Sequence, residues 1–528
     1  MLYKGISYEV INQFSERDKA YQKGDERLQE FIAYPFQESQ KENLINDRKK
    51  FPVDRELLVN QIKAQYEGTD YYDFIKENCD SLNSENCFTV TTAHQPSLML
   101  GPLYYIYKIC SAINLAKKWS DKEHKIIPIF ILGAEDHDFD EINHLHLFNK
   151  RVEWDSNQTG ATGRMNKDGI EEVIEQISGI LGESMYADDL RTKMAYAQSH
   201  SDSYGSFIFH FINQIFAKHG LIVMNFDNKG FKKAFSPILK KEMLTNFSKP
   251  LVTSTQESLA AKGFKDQAFS RDINLFYLTK TSRNRIELEN SKYNILDTDI
   301  SFTEEEIISE IENNPENFSP NVVMRPLYQE TILPNLAYIG GGGELAYWME
   351  RKSQFAEAGV FYPMLIRRKS AMWITKGVTK ALNKIGLGFN DLLIDNDQLI
   401  KNFALENSEH SVEFDEEYHT INNAYENISK KAGKIDASLV GKLEAMKTNH
   451  VKALEKIQTR LVRAIKQSQE VQTNKILKTK EQLFPNNGLQ ERKTNFMEIY
   501  LNHGPAMIDI LIDNCDPFDK EMLLVYEE

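Results

Sequence analysis

Cysteine is scarce here, four among 528 residues. Cys79, Cys87, Cys110 and Cys515 make no C-x-x-C pair and lack the His spacing of a structural zinc site. A disulfide framework is excluded, and a reducing, cytoplasmic setting is expected. Long apolar runs are missing as well. No window approaches the roughly 18 apolar residues that span a bilayer, and the opening MLYKGISYEVINQF has no secretory apolar stretch. No membrane association is expected. Proline is sparse at 15 residues, which argues against fibrous and disordered classes. Positive charge is also short, 63 Lys and Arg against 77 Asp and Glu, for a formal net charge of −14. No basic run is long enough to form a stripe against that field, so nucleic acid is excluded as a partner.

What the chain does have is core-forming material, 41% hydrophobic and 11% aromatic residues. Its length exceeds the roughly 250 to 300 residues that one core supports, so two or more domains are expected. The clearest regular unit starts at CFTVTTA (87–93), a β-branched strand, followed by GPLYYIYKICSAINLAKKW (101–119), a helix with Pro102 in its first turn and Lys117 and Lys118 at its negative pole. IIPIFIL (126–132) then reads as a strand buried on both faces of a parallel sheet. GLIVMNF (220–226) and FYPMLIR (361–367) follow helical segments and extend the same sheet. The fold class is therefore α/β, a doubly wound parallel core, with insertions at about 150–200 and 240–325.

From residue 428 the pattern changes. Ile428, Ala432, Ile435, Leu439, Leu443, Met446, His450, Ala453, Ile457, Leu461, Ala464, Ser468 and Val471 succeed one another in three- and four-residue steps, which predicts one long amphipathic helix. Running unbroken to Leu483 it would extend roughly 80 Å, too long to lie on one small domain, so it must pair with another helix of this chain or of a second copy. Extra four-residue steps break a strict heptad and predict weak supercoiling. The breaker run Phe484-Pro485-Asn486-Asn487-Gly488 ends it.

Four constellations could carry chemistry. Glu135, Asp136, His137 and Asp138 begin where IIPIFIL stops, the edge at which open parallel sheets bind ligands, and together they suit proton transfer or metal binding near neutral pH. The bland alternative is a polar turn capping the next helix; the position at a strand end favours function. His94 and Gln95, followed by Tyr104 and Lys108, occupy a strand-loop-helix junction with backbone N–H groups free for anions, or else they simply satisfy the turn. Gly341, Gly342 and Gly343, within a run of four glycines and followed by Glu344, Tyr347 and Trp348, permit close backbone approach to a ligand at considerable entropic cost. Arg367, opening Arg367-Arg368-Lys369-Ser370 after a strand, would neutralise phosphate or carboxylate, or be an ordinary solvated edge. Neither G-x-x-x-x-G-K-[ST] nor G-x-G-x-x-G occurs. His137, His144 and His146 offer a metal site only if the intervening loop folds back.

GPLYYIYK, AEDHDFDEINH, LPNLAYIGGGGELAYW and LQER, in that order and spanning nearly the whole chain, resemble the bacillithiol biosynthesis cysteine-adding enzymes, the BshC family of cysteine ligases. The resemblance implies a Rossmann-like core with inserted connecting segments over 1–385, a long α-helical coiled-coil domain over 386–485 and a segment over 486–528 that returns to the core. It implies a ligase that joins cysteine to glucosaminyl-malate in the last step of bacillithiol biosynthesis, giving a low-molecular-weight thiol. Amide formation needs an activated carboxylate and a deprotonated amine. His137 or a neighbouring acid (Glu135, Asp136 or Asp138) is expected to take the proton. His94, Lys108 and Arg367 are expected to hold carboxylate or phosphate groups, with Gln95, Tyr104, Asn143, Gly341, Gly342, Gly343, Glu344, Tyr347 and Trp348 as further substrate contacts. ATP is expected from the ligase reaction, not from a motif, and no metal is assigned. The chain departs from nucleotidyltransferases with a similar core, because their H-x-G-H pair is absent and only His94 stands in that loop. A homodimer through the coiled coil is expected. Without the resemblance, a metal-dependent hydrolase and a coiled-coil scaffold would be the rival readings.

Overall fold

A computed structural model describes residues 1–409 and 411–527. Five parallel strands form the central sheet: β1 (Cys87–His94), β2 (Lys125–Leu132), β3 (Ile222–Asn225), β4 (Asn335–Gly340) and β5 (Met364–Arg367), in the order β5-β4-β1-β2-β3. The order reverses between β1 and β4, the topological switch of a doubly wound fold. Both faces of the sheet are covered, as the near-continuous apolar strands require, and seven of the eight β2 residues are buried. Pro128 stands in β2 opposite Val90 of β1, one residue before pairing with β3 begins at Ile129.

Helix α1 (Tyr104–Trp119) packs against β1 and β2 and buries Tyr105, Ile106, Ile109, Ile113 and Leu115. Pro102 sits just ahead of it, bridged to Asn495. The insertion after β2 holds a hairpin of His144–Leu147 with Lys150–Glu153, followed by helices. The insertion after β3 holds α2 (Lys229–Thr245) and an antiparallel sheet in which Leu275–Leu278 lies between Arg283–Glu289 and Phe318–Pro320. Two helices frame β4: α3 (Arg325–Ile332) before it and α4 (Gly342–Met349) after it.

The chain divides into two compact units. Tyr3–Trp373 with Gly488–Val525 forms the Rossmann-like unit, and Ile374–Asn487 with the chain ends forms the helical one. In the latter, the single helix expected from residue 428 onward is three: α5 (Asp415–Gly433), α6 (Leu439–Ser468) and α7 (Glu470–Leu483). Residues 434–438 reverse the chain, and α5 packs on α6, with the Tyr418 hydroxyl reaching Gln458 (3.4 Å) and the Tyr425 hydroxyl reaching His450 (2.7 Å). The periodic pattern runs through the turn because both arms are amphipathic, so periodicity alone did not reveal the reversal. No helix among the described residues is long and apolar enough to cross a membrane.

Candidate functional site

A cavity of about 720 Å³ opens at the carboxyl edge of the central sheet. The segments that follow all five parallel strands contribute to its wall: His94 and Gln95 after β1, Gly133 to Asp136 after β2, Phe226 and Asp227 after β3, Gly341 to Glu344 after β4, and Arg368 after β5. Phe276, Arg283 and Pro320 of the antiparallel insertion face it too, as do Arg271, Arg325 and Tyr347. The site is assembled where a doubly wound sheet places its ligands.

The β1 and β2 ends touch through Gly133, whose N–H donates to the His94 carbonyl at 2.7 Å. A Cβ there would lie 3.2 Å from that oxygen, so glycine is what the junction accommodates. His94 is held by the Gln95 carbonyl on Nδ1 (3.3 Å) and the Tyr104 hydroxyl on Nε2 (3.2 Å). Burial, reinforced by Lys108, pushes its imidazole down to about 3, so His94 is neutral. Downstream, Met99 and Leu100 take positive φ values of 45° and 62° while fully buried. Asn495 pins that loop by donating to the Met99 and Gly101 carbonyls at 3.0 and 2.7 Å.

The acid cluster splits. Asp136 accepts from the Gln95 amide at 2.9 Å and lies 3.7 Å from Arg283. Burial raises its carboxyl pKa, yet Arg283, Gln95 and Arg325 together hold it below its usual value. Glu135 pairs with buried Lys232, and burial outweighs that partner so that its pKa is raised. Lys232 also reaches Asp227 (3.3 Å), which Arg164 grips at 2.6 Å. His137 and Asp138 turn away and line a separate, shallower depression with Gln158 and Asn284. Arg283 donates to His137 Nδ1 at 2.9 Å, and burial followed by Arg283 depresses its pKa.

Of the other expected contacts, Glu344 lines the cavity, while Lys108, Asn143, Trp348 and Arg367 sit behind its wall. Lys108 is fully buried and bonds Glu344 at 2.8 Å. Burial works to raise the Glu344 carboxyl, but Lys108 and the Gly341 N–H pull it down to about 2. Glu344 thus caps α4, accepting from Gly341 N at 2.9 Å and from the Tyr338 hydroxyl at 2.8 Å. Trp348 is buried and stacked on Tyr338 with centroids 4.4 Å apart. Asn143 is buried and bonds Glu153. Arg367 is buried against Asp18 (2.9 Å) and does not line the cavity. Its neighbour Arg368 does, paired through two nitrogens with Glu491 at 2.7 and 3.0 Å. Strand alternation contains that distinction, since consecutive residues point to opposite faces.

Arg283 and Arg325, which the sequence reading missed, line the cavity, and no local motif marks them. Arg325 starts α3, and its guanidinium donates one hydrogen bond among the described residues, 3.4 Å to the Tyr347 hydroxyl. Burial opposes its charge, but Tyr347, Tyr338, Glu344 and Asp136 outweigh burial and keep it protonated.

The three histidines of the hydrolase reading go different ways. His137 bonds Arg283, while His144 and His146 share one face of a hairpin with ring centroids 5.8 Å apart. Among the described residues, the group of three with metal-ligand spacing is Glu42, Asp121 and His124, none of which lines the cavity. The hydrolase reading loses its ligand set.

Residues 1–369 match the family model described as "Bacillithiol biosynthesis BshC, N-terminal Rossmann-like domain", and residues 371–527 match "Bacillithiol biosynthesis BshC, C-terminal coiled-coil domain". A protein of Flavobacterium johnsoniae named "Putative cysteine ligase BshC" is 34% identical over 98% of this chain and 99% of its own length. One of Christiangramia forsetii with the same name is 35% identical over 98% of each chain. Among solved structures, a Plasmodium falciparum tryptophanyl-tRNA synthetase aligns over 86% of this chain and 94% of that one at 11% identity and a TM-score of 0.21, too low to establish a shared fold.

Proposed function

The chain belongs to the BshC family of bacillithiol biosynthesis, and from that premise we propose that it is a cytoplasmic ligase joining the cysteine carboxyl carbon to the amine of glucosaminyl-malate. The observation that carries the reading is the convergence of Glu135, Asp136, Gln95 and Arg325 on one cavity at the switch of the sheet. Forming the C–N bond from an ammonium removes two protons from nitrogen, one before attack and one after it, and an oxygen from the carboxylate. Asp136, charged and oriented by Gln95, meets the substrate ammonium. Glu135, whose raised pKa brings it nearer neutrality, accepts a proton. His94, locked neutral, hydrogen-bonds through Tyr104 and orients rather than titrates.

Activating a carboxylate at neutral pH requires a leaving group, which ATP supplies when bound. Arg325 and Arg492 fit phosphate oxygens as a donor set. A cysteine ligase also gains from exposing no thiol of its own, and Cys79, Cys87, Cys110 and Cys515 are all buried.

The protein acts as a homodimer in this reading. Helix α6 turns Val451, Leu454, Val462 and Ile465 inward, while Leu439, Met446, Ile457 and Leu461 along its adjacent face are 40 to 49% exposed, a stripe suited to a second copy. The decisive assay incubates the protein with cysteine, glucosaminyl-malate and ATP and follows the thiol product and nucleotide by mass spectrometry. A thiol of the mass expected for the amide is the anticipated product. Its absence at every pH between about 6 and 9 would overturn the assignment.

A further inference from the structure

Each acidic side chain deep in the cavity has a partner within the protein. Glu135 has Lys232, Asp227 has Arg164, Glu344 has Lys108, and Asp136 has Gln95 with Arg283 close by. Three inner arginines do not fare alike. Arg368 is neutralised by Glu491, and Arg283 is fastened by the Ser319 hydroxyl, the Pro320 carbonyl and His137. Arg325 has no carboxylate within ion-pair distance among the described residues, and its one side-chain hydrogen bond there, to Tyr347, is long.

Its position is equally specific. The Arg325 Nη1 atom lies 3.5 Å from where a Cβ on Gly133 would stand, which puts the guanidinium against the junction of the β1 and β2 ends. In the first turn of α4, Gly343 lines the same cavity, and an added Cβ there would meet nothing within 4 Å, so that part of the wall faces open space. A half-buried guanidinium with unused planar donors favours an oxyanion partner, and its fork matches a carboxylate or a phosphoryl group in two-point contact.

Building on the ligase reading, we infer that Arg325, with Tyr347 beside it, is the oxyanion-binding residue of this cavity, gripping a carboxylate or phosphate group of the substrate in two-point contact. Arg367 and Lys108, the cations expected in that role from the sequence, are already paired with Asp18 and Glu344. The two oxyanion sources differ in experiment. L-malate represents the carboxylate and inorganic phosphate the nucleotide.

Binding of each probe to the full-length protein is measured by calorimetry for wild type, Arg325→Gln, Arg325→Lys and Arg285→Gln, the last changing an exposed cation outside the cavity lining. The expected result is a loss of at least tenfold in affinity for one probe in Arg325→Gln, partial recovery in Arg325→Lys and little change in Arg285→Gln. Loss for malate alone assigns a carboxylate, and loss for phosphate alone assigns the nucleotide. Equal affinities in wild type and Arg325→Gln, or no binding of either probe to wild type, would overturn the inference. Should Arg325→Gln fail to fold, wild type is treated with phenylglyoxal and peptide-mapped. Arg325 modification slowed at least threefold by malate or phosphate supports the site, and an unchanged rate contradicts it. These readouts need no turnover, so they stand even if the chain forms no thiol product.

Discussion

Arg283 donates from Nη1 to His137 Nδ1 at 2.9 Å, and that single bond settles what the imidazole can do. With Nδ1 accepting, the neutral ring carries its proton on Nε2, and His137 lines the shallow depression beside the cavity instead of the cavity itself. Proton handling passes to the carboxylates of Glu135 and Asp136. Asp136→Asn is expected to lower kcat/KM by roughly a hundredfold or more, whereas His137→Ala costs less than about tenfold. Steady-state kinetics of both variants checks this, and a His137→Ala enzyme as dead as Asp136→Asn would restore the histidine.

The Lys232 to Glu135 pair, 1% and 12% exposed, makes a stability prediction. Lys232→Met strands a buried carboxylate and is expected to destabilise the protein by about 3 kcal/mol. Adding Glu135→Gln should return part of that loss. Urea unfolding of the two single variants and the double variant measures the coupling, and strictly additive effects would argue against it.

Glu330, buried and bonded to Gln329 and Asn335, has its carboxyl raised from 4.5 to about 7, chiefly by burial. Between those values the folded state keeps a proton that the unfolded chain has lost, so stability falls as pH rises through that window. The full penalty above that window is about 3 kcal/mol. Glu330→Gln should flatten this slope, gaining stability over wild type at about pH 8 and not at about pH 4. Thermal melts at the two pH values give the answer, and parallel curves for the two proteins would refute it.

The exposed apolar stripe of α6 gives an oligomeric prediction. Light scattering is expected to report twice the 61.0 kDa chain mass for wild type and a single chain for Ile457→Glu/Leu461→Glu. A wild-type protein that is monomeric at high micromolar concentration would remove the dimer from the proposal.

Apolar strands such as IIPIFIL and CFTVTTA, helical spacing in 104–119 and the composition itself made the doubly wound core, its ligand-binding edge and the separate helical unit legible without coordinates. Period and burial are encoded locally, so sequence carries them. Even the identity of the cavity floor, Glu135 and Asp136, follows from standing at a strand end. What the tertiary structure alone decided is orientation and partnership. Whether Arg367 or Arg368 faces the cavity depends on which side of β5 is covered by Asp18. Whether the helix from 428 continues or reverses depends on the few residues between two amphipathic arms. That Arg325 has no carboxylate at ion-pair distance among the described residues is a matter of pairing elsewhere, since Lys108, Lys232 and Arg164 hold Glu344, Glu135 and Asp227 from distant points in the chain. Pairing of buried charges is a long-range competition, and no local pattern records its outcome.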